Sequence, residues 1–531
     1  MLPTIGFAAD YSVPCSSGGS GADIISLNAA INAAAIDTSA STVTLTAKCF
    51  YHLPANSLGY FASTDASPSY FRRIDNNVTV IGNGATIAFD SGNSPPRRFF
   101  SISANGSLSL KVLTLRGGIA AGANGGDSLA DGTPGAGGTY SGLGGAVLNA
   151  GSITTDGVTF DSNQAIGGNG GNSSNGSAAG GGGAGLGGAI FSSGTLDVER
   201  TTFTSNTATG GTNGILRGCL DSSCTSAGGG GGGLGGNGGL SGQDATSGGY
   251  GGSGGGAGNG NAHGGNGGFG GASGSGFIVG TPGEFGGSGS NGGFAGGGGA
   301  GLGGAVFIES VPSSAEILNS TFSANTATGG STHNEGGDGG SAAGGAFFLH
   351  TGTLVMDFDT LIGGIAKGGD VAAPANPQNG GNANGGNIYL HDASSLEVTT
   401  IVVSGGAVTA GTTTSGNAGT SSDPDLFGVI VSSGFNLIHA RGDSSGYSSD
   451  DLPGGISAGL GPLQNNGGPT MTFSPLPGSA LIDADPDLEC FAALPTDQRG
   501  AIRFYGDACD IGAVEVNDII FQDGFEFYSF D

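Results

Sequence analysis

Gly-Gly-Ala followed by an apolar residue opens four copies of a longer repeat, starting at Gly144, Gly187, Gly303 and Gly344. Three copies lead into Phe-x-x-Asn, at Phe160 to Asn163, Phe203 to Asn206 and Phe322 to Asn325. A weaker fifth copy, Gly-Gly-Asn-Ile, begins at Gly385. A recurrence of this length without helix periodicity reads as the coils of a solenoid. Each copy holds three short strand candidates, for instance 189–191, 196–198 and 202–203. Coils of that kind stack into an all-β architecture, a right-handed parallel β-helix. Stacking puts Phe160, Phe203 and Phe322 inside. It puts Asn163, Asn206 and Asn325 in a turn, where side-chain amides bond along the axis and satisfy buried backbone groups. The Gly-Gly pair permits a sharp turn with positive φ. The fourth copy carries Asp359-Thr-Leu-Ile-Gly instead of the asparagine motif, and the fifth places Ile401 at the Phe position and Ser404 at the Asn position.

Successive Gly anchors are 43, 116, 41 and 41 residues apart, whereas a coil needs only about 25. The surplus always falls after the asparagine motif and before the next Gly-Gly. It forms glycine-rich inserts at 117–142, 167–185, 210–301, 329–343 and 368–384. From Gly228 to Gly301, 40 of 74 residues are glycine, too many for an ordinary packed core. Two readings stay open. Glycine-rich segments behave as flexible linkers. Held side by side at one edge, they also pack as extended polyproline-II strands, because no Cβ keeps the backbones apart. The second reading gives a flat polar ridge that displays aromatics such as Tyr250, Phe269, Phe277, Phe285 and Phe294.

The remaining organisation follows from patterning. Residues 1–9 read as the end of a signal peptide. Residues 10–40 form an N-terminal cap, with Ile24, Leu27, Ala30, Ile31 and Ala34 on one face of a helix. Such a cap covers the open end of a stack. Residues 41–440 are the β-helix with its inserts, 441–516 a C-terminal region and 517–531 a tail. Six cysteines pair by nearest neighbour: Cys15 with Cys49, Cys219 with Cys224, Cys490 with Cys509. That usage points to an oxidising compartment. No apolar run approaches the ~20 residues of a transmembrane helix. The net charge of −28, with only 13 Lys and Arg, speaks against nucleic acid as a partner.

The paired motifs GGAV/FDSN, GGAI/FTSN and GGAV/FSAN, between about 140 and 410, resemble the repeats of polymorphic outer membrane proteins and related bacterial β-helix adhesins. The stretches Gly461 to Asp485 (GPLQNNGGPTMTFSPLPGSALIDAD) and Thr496 to Glu515 (TDQRGAIRFYGDACDIGAVE) resemble the C-terminal region of choice-of-anchor Q proteins, as does SSGFNLI at Ser432 to Ile438. The tail IIFQDGFE, Ile519 to Glu526, is similar to one found in exported gammaproteobacterial proteins. These resemblances imply export by a signal peptide, an extracellular or outer-surface location and adhesion. They supply no catalytic residues.

Chemistry beyond display has few carriers. Asp156, Asp161, Asp197 and Glu199 are candidate groove carboxylates for a polysaccharide lyase or glycoside hydrolase, which needs a base or a carboxylate pair. Asp483, Asp485 and Asp487 begin a sequence like a calcium loop, but Leu488 and Leu494 stand where its glycine and last glutamate belong. Structural Ca²⁺ is therefore a weak expectation, and no other cofactor is expected. Arg441-Gly-Asp443 spells an integrin-type tripeptide that chance also supplies, and Thr207-Ala-Thr209 with Thr326-Ala-Thr328 could form a flat hydroxyl array that orders ice. The reading is an exported surface protein that binds glycan, matrix or neighbouring cells through an extended face. The alternatives are a polysaccharide-degrading enzyme on the same scaffold and a self-associating structural component of a surface layer.

Overall fold

The computed structural model describes residues 9–16, 21–54, 69–89, 96–128, 133–139, 142–174, 177–217, 228–233, 235–239, 243–258, 262–290, 295–310, 315–333, 336–372, 377–486, 490, 494–503 and 508–516. Cys219, Cys224, Asp487, Phe294 and the 517–531 tail lie outside the described residues.

The strands stack as a parallel β-helix. Segments 9–13, 41–45, 77–81, 107–111, 152–156, 195–199, 315–318, 354–357, 396–399 and 430–434 pair in turn, all parallel. Ten levels at ~4.8 Å make a stack of about 43 Å. Alternation decides which side chains enter. Leu196 and Val198 are buried while Thr195, Asp197 and Glu199 face outward, and the same pattern recurs at neighbouring levels. The helix Gly21–Ala34 closes the first level, burying Ile24, Leu27, Ala30, Ile31 and Ala34. The disulfide Cys15–Cys49 ties this cap to the stack, and Cys490–Cys509 closes a loop near the other end of the chain.

From residue 142 three successive coils carry five short strands rather than three, and in the two coils after them the second and third strands are fused. In one coil they are Gly185–Leu186, Ile190–Ser192, Thr195–Glu199, Thr202–Thr204 and Thr207–Thr209. The first and last belong to two six-stranded parallel sheets that lie back to back. They pack closely because the inward residues are small. Ala165, Ala208, Ala327 and Ala366 line one sheet, and a Cβ on Gly185 of the other would meet the Thr209 carbonyl oxygen at 2.3 Å. This explains the repeated motif in full, as Gly-Leu-Gly-Gly-Ala. Gly187 takes a φ of 66°, and Gly188 passes so near the next coil that a Cβ would lie 2.0 Å from the Gly304 oxygen.

Phe160, Phe203 and Phe322 stack in the core with ring centroids 5.0 and 4.6 Å apart. In register with them follow Leu361, Val403 and Ile438. Val403 thus holds the position expected for Ile401. Strands Phe347–Asp357 and Ile388–Thr399 run on without a break and slip register between Leu349 and Thr351, which lengthens the path from Gly385. The asparagines form a buried ladder. Asn163 N donates to Asn206 Oδ1 at 3.0 Å, and Asn206 N to Asn325 Oδ1 at 2.9 Å. Where the fourth coil has Gly364 instead, Asn387 of the weak fifth motif accepts its amide at 2.8 Å. The substitution in one coil is thereby answered from the opposite wall of the next.

The C-terminal region is a strap rather than an appendage. It returns along the outside of the stack and covers the corner where each coil turns. Ala458, Leu481 and Ile511 pack on Val402 and Leu437, and Pro469 reaches Gly157.

Candidate surface of the glycine strands

The described residues of the glycine-rich inserts are ordered. Strand 228–233 shows how. Its amides point in rotation to three neighbours: Gly228 and Gly231 donate to Gly239 and Gly236, Gly229 and Gly232 to Ala178 and Gly181, Gly230 and Gly233 to Gly126 and Ala123, at 2.8–3.1 Å. Its carbonyls accept from three others, through Gly135 and Gly138, Gly171, and Ser253 and Gly256. One neighbour is served at every third residue, which is the period of a polyproline-II helix. Such a helix has no internal hydrogen bonds, so all its backbone groups are met laterally. Side chains are excluded inside. A Cβ on Gly229 or Gly232 would lie 2.0 Å from a carbonyl oxygen of the 167–173 strand.

Three hairpins within the longest insert fasten this bundle to the β-helix. Ala245, Gly248, Gly251, Gly254 and Ala257 donate to residues of the next hairpin at 2.8–3.0 Å, and that hairpin bonds the third in the same way. Their tips are Tyr250, Phe269 and Phe285. These rings do not decorate a ridge. They turn inward onto a ladder of outward-facing rings on the β-helix, Phe191, Phe307, Phe348, Tyr389 and Phe427, stacked 4.6–5.3 Å apart. Phe269 lies 6.0 Å from Phe307 and Phe285 lies 5.5 Å from Tyr389. Burying a large ring against a ring is worth more than displaying it. Phe277 stays 59% exposed. At one end of the seam His391 Nε2 meets Glu284 Oε1 at 2.8 Å, with the His350 ring 4.9 Å from His391. Burial, and then His391, push His350 below the usual imidazole range.

Inside the bundle the polar side chains are small, such as the buried Ser253, Ser273 and Ser275, and the larger ones on its outside form grids. On one side Asn169 N donates to Asn124 Oδ1 and Thr212 N to Asn169 Oδ1, both at 2.9 Å. Three residues on, Asn172 N donates to Asp127 Oδ1 and Ile215 N to Asn172 Oδ1. A second grid joins the inserts 329–343 and 368–384 to the segment 411–420 of the following coil. Asn379 N donates to Asp338 Oδ1 at 2.7 Å and Asn417 N to Asn379 Oδ1 at 3.2 Å. Beside it, Asn382 Oδ1 accepts from both Thr420 N and Thr420 Oγ1. A groove of about 310 Å³ opens here, walled by Gly286, Gly287 and Ser288 and lined by Asp338, Ser341, Asn379, Asn382 and Asn417. Burial raises the Asp338 carboxyl above its usual range.

None of these side chains was singled out from the sequence, although a signal is there. Asn124-Gly-Gly-Asp127, Asn169-Gly-Gly-Asn172, Asp338-Gly-Gly-Ser341 and Asn379-Gly-Gly-Asn382 share one spacing. It is the three-residue period of the bundle, with glycine inside and a polar residue outside.

The residues singled out earlier have mostly other employment. Asp156 accepts from Arg200 Nε at 2.8 Å, and Asp161 from Arg116 Nε at 2.6 Å. Glu199 also lies 3.8 Å from Arg200. Asp197 sits beside Glu316 in register on the outer face, and burial, followed by Glu316, raises its carboxyl. The Asp483 amide donates to Asp510 Oδ1 at 2.8 Å, and Asp485 Oδ2 accepts from Thr400 Oγ1 at 3.2 Å. Among the described residues no three His, Cys, Asp or Glu side chains are grouped to hold a metal. Arg441 stacks on the Tyr447 ring at 4.0 Å and donates to the Leu452 carbonyl, so the tripeptide is tied into its own loop.

The described residues 496–503 and 508–515 form a buried polar clip. Gln498 Oε1 accepts from Thr321 Oγ1 at 2.6 Å, and its Nε2 donates to Thr202 Oγ1 and Thr470 Oγ1 at 2.9 and 3.0 Å. Asp497 is paired with Arg499 at 2.7 Å. Arg503 stacks over the Phe358 ring at 3.6 Å and donates to Asn319. Gln498 and Arg503 hold the strap to the coil corners, and the Asp497–Arg499 pair braces it internally.

Fold and surface together define a parallel β-helix that carries a bundle of glycine strands on one flank. No family model and no curated protein matches the chain. The two disulfides fit an extracellular protein, and among the described residues no helix is long and apolar enough to cross a membrane.

Proposed function

We propose that this is an exported cell-surface protein, an adhesin that binds glycan, matrix or a neighbouring cell through the outer surface of its glycine bundle. One observation carries the reading. Inserts leaving many levels of the stack are gathered into one hydrogen-bonded body whose interior is glycine and whose exterior is rows of oriented amides and hydroxyls. Ordering that much glycine costs backbone entropy at every residue. The structure offsets this cost to present a rigid polar surface, and rigidity in the free state is what lowers the cost of binding.

Probing immobilised glycans, matrix proteins and cells with the purified protein, beside a turnover assay on polysaccharides, tests the proposal. Retention without product supports it. Release of reducing ends or unsaturated product would instead assign a polysaccharide-degrading enzyme, with Asp197 and Glu316 the first pair to replace. No retention, together with assembly of the protein into sheets, would assign a structural layer component.

A further inference from the structure

The geometry points to a specific ligand class for the groove lined by Asp338, Asn379, Asn382 and Asn417. We propose that it is a subsite for a neutral glycan, a short run of uncharged sugars lying across Asp338, Asn379 and Asn382. The inference rests on the surface-binding reading above and deepens it.

The polar groups are fixed before any ligand arrives. Asn379 Oδ1 is held by the Asn417 amide, and Asn382 Oδ1 by Thr420. A carboxamide whose oxygen is held leaves its NH2 end as the group presented outward. Asp338 Oδ1 is likewise held by the Asn379 amide and the carboxylate also accepts from the Ser288 side chain, with lone pairs remaining to accept from a ligand. Asn379 and Asn382 are exposed, so their NH2 groups reach a ligand. Donors and an acceptor thus alternate over one short stretch, and a sugar hydroxyl both accepts and donates.

The rest of the lining narrows the class. It holds no Lys, Arg or His, and its one charged residue is Asp338. In a chain of net charge −28, such a site repels uronic acids, sialic acids and phosphates. Ala418 is the one apolar side chain in the lining, so no anchor for a lipid or an apolar peptide side chain is built. Gly286, Gly287, Gly339, Gly380 and Gly381 make bare floor and wall, which lets the edge of a ring approach the backbone. The volume, about 310 Å³, is at the low end of the ~300–1,000 Å³ typical of ligand sites and fits a few sugars.

The test is a glycan array followed by titration calorimetry with the full chain. The variants are Asn379→Ala/Asn382→Ala and, at outward positions of the β-helix away from the bundle, Ser152→Ala/Thr195→Ala. The expected result is binding of neutral oligosaccharides and none of acidic ones. The first double variant loses at least tenfold in affinity and the second stays within twofold, with circular dichroism unchanged in both. Acidic glycans bound as well as neutral ones, or an undiminished first variant, would overturn the groove assignment while leaving a surface-binding role intact. Binding to cells or matrix with no glycan bound does the same. Absence of binding to glycan, matrix and cells alike removes both.

Discussion

The amide of Gly230 donates to the carbonyl of Gly126 at 3.0 Å, although the two glycines leave the stack from coils two levels apart. Between them runs the 167–173 strand of the intervening coil, which also bonds Gly230. Position 230 therefore tests whether the bundle is one body. A Cβ there would lie 1.9 Å from the Ala136 carbonyl oxygen, a backbone atom that no rotamer change relieves. Gly230→Ala is expected to cost about 1–3 kcal/mol locally and to open the bundle to proteases. Cleavage between 228 and 290 rises at least tenfold while the β-helix stays intact. An unchanged digestion rate would count against a close-packed bundle.

The asparagine ladder is the second point of leverage. Asn206 Oδ1 accepts from both Asn163 N and Nδ2 at 3.0 Å, and Asn206 Nδ2 donates to Phe160 O at 3.0 Å. Asn206→Ala strands an amide and a carbonyl inside the stack, each at roughly 1–3 kcal/mol. Chemical denaturation is expected to show a loss of about 2–5 kcal/mol, well beyond that of an outward substitution such as Thr195→Ala. A loss below ~0.5 kcal/mol would mean that the ladder is not needed.

How far the sequence revealed this depends on the range of the interactions. The coil core was legible because Phe160, Phe203 and Phe322 repeat at a spacing that only stacking explains. The flanking sheets were missed because strands such as Gly185–Leu186 are two residues long and carry no alternation. The order of the inserts was left open for a related reason. Each glycine strand is held by neighbours from other coils or other hairpins, as Gly230 is by Gly126, and polyproline-II has no local bond to betray it. The inward turn of Phe269 and Phe285 is not legible because their partners, Phe307 and Tyr389, lie on the outside of coils, where no local pattern marks a ring as covered. The strap residues Asp497, Gln498 and Arg503 have no periodicity at all; only packing shows what they hold.

Gln498 is the pivot of that strap. Its amide bonds Thr321, Thr202 and Thr470 in a site closed to water. Gln498→Ala leaves these hydroxyls without their shared partner. The strap is expected to loosen first, giving a separate low-temperature transition in calorimetry of the variant and faster proteolysis within 456–503. A single transition at the wild-type temperature would show that the strap does not depend on this side chain.

Acid–base linkage gives an independent check on the same corner. Burial pushes the Asp357 carboxyl up to about 6, against an ordinary 3.8, despite the opposing pull of Arg503. A carboxyl whose folded pKa lies above its unfolded value favours the fold in its neutral form. Its contribution is fully present below pH ~4 and is lost as pH rises through 6. Asp357→Asn stays neutral throughout. The variant is expected to match the wild type at pH 4 and to exceed it by about 1–2 kcal/mol at pH 7. Equal stability at both pH values would contradict the burial of this charge.

The central claim is that the glycine inserts form a fixed, hydrogen-bonded bundle that bears the binding surface. Hydrogen exchange followed by mass spectrometry over residues 228–258 measures this directly. Amides such as Gly229, Gly230 and Gly231, each bonded to a different neighbouring strand, are predicted to remain protected for minutes to hours at neutral pH. Complete exchange of the segment within the dead time would contradict the account.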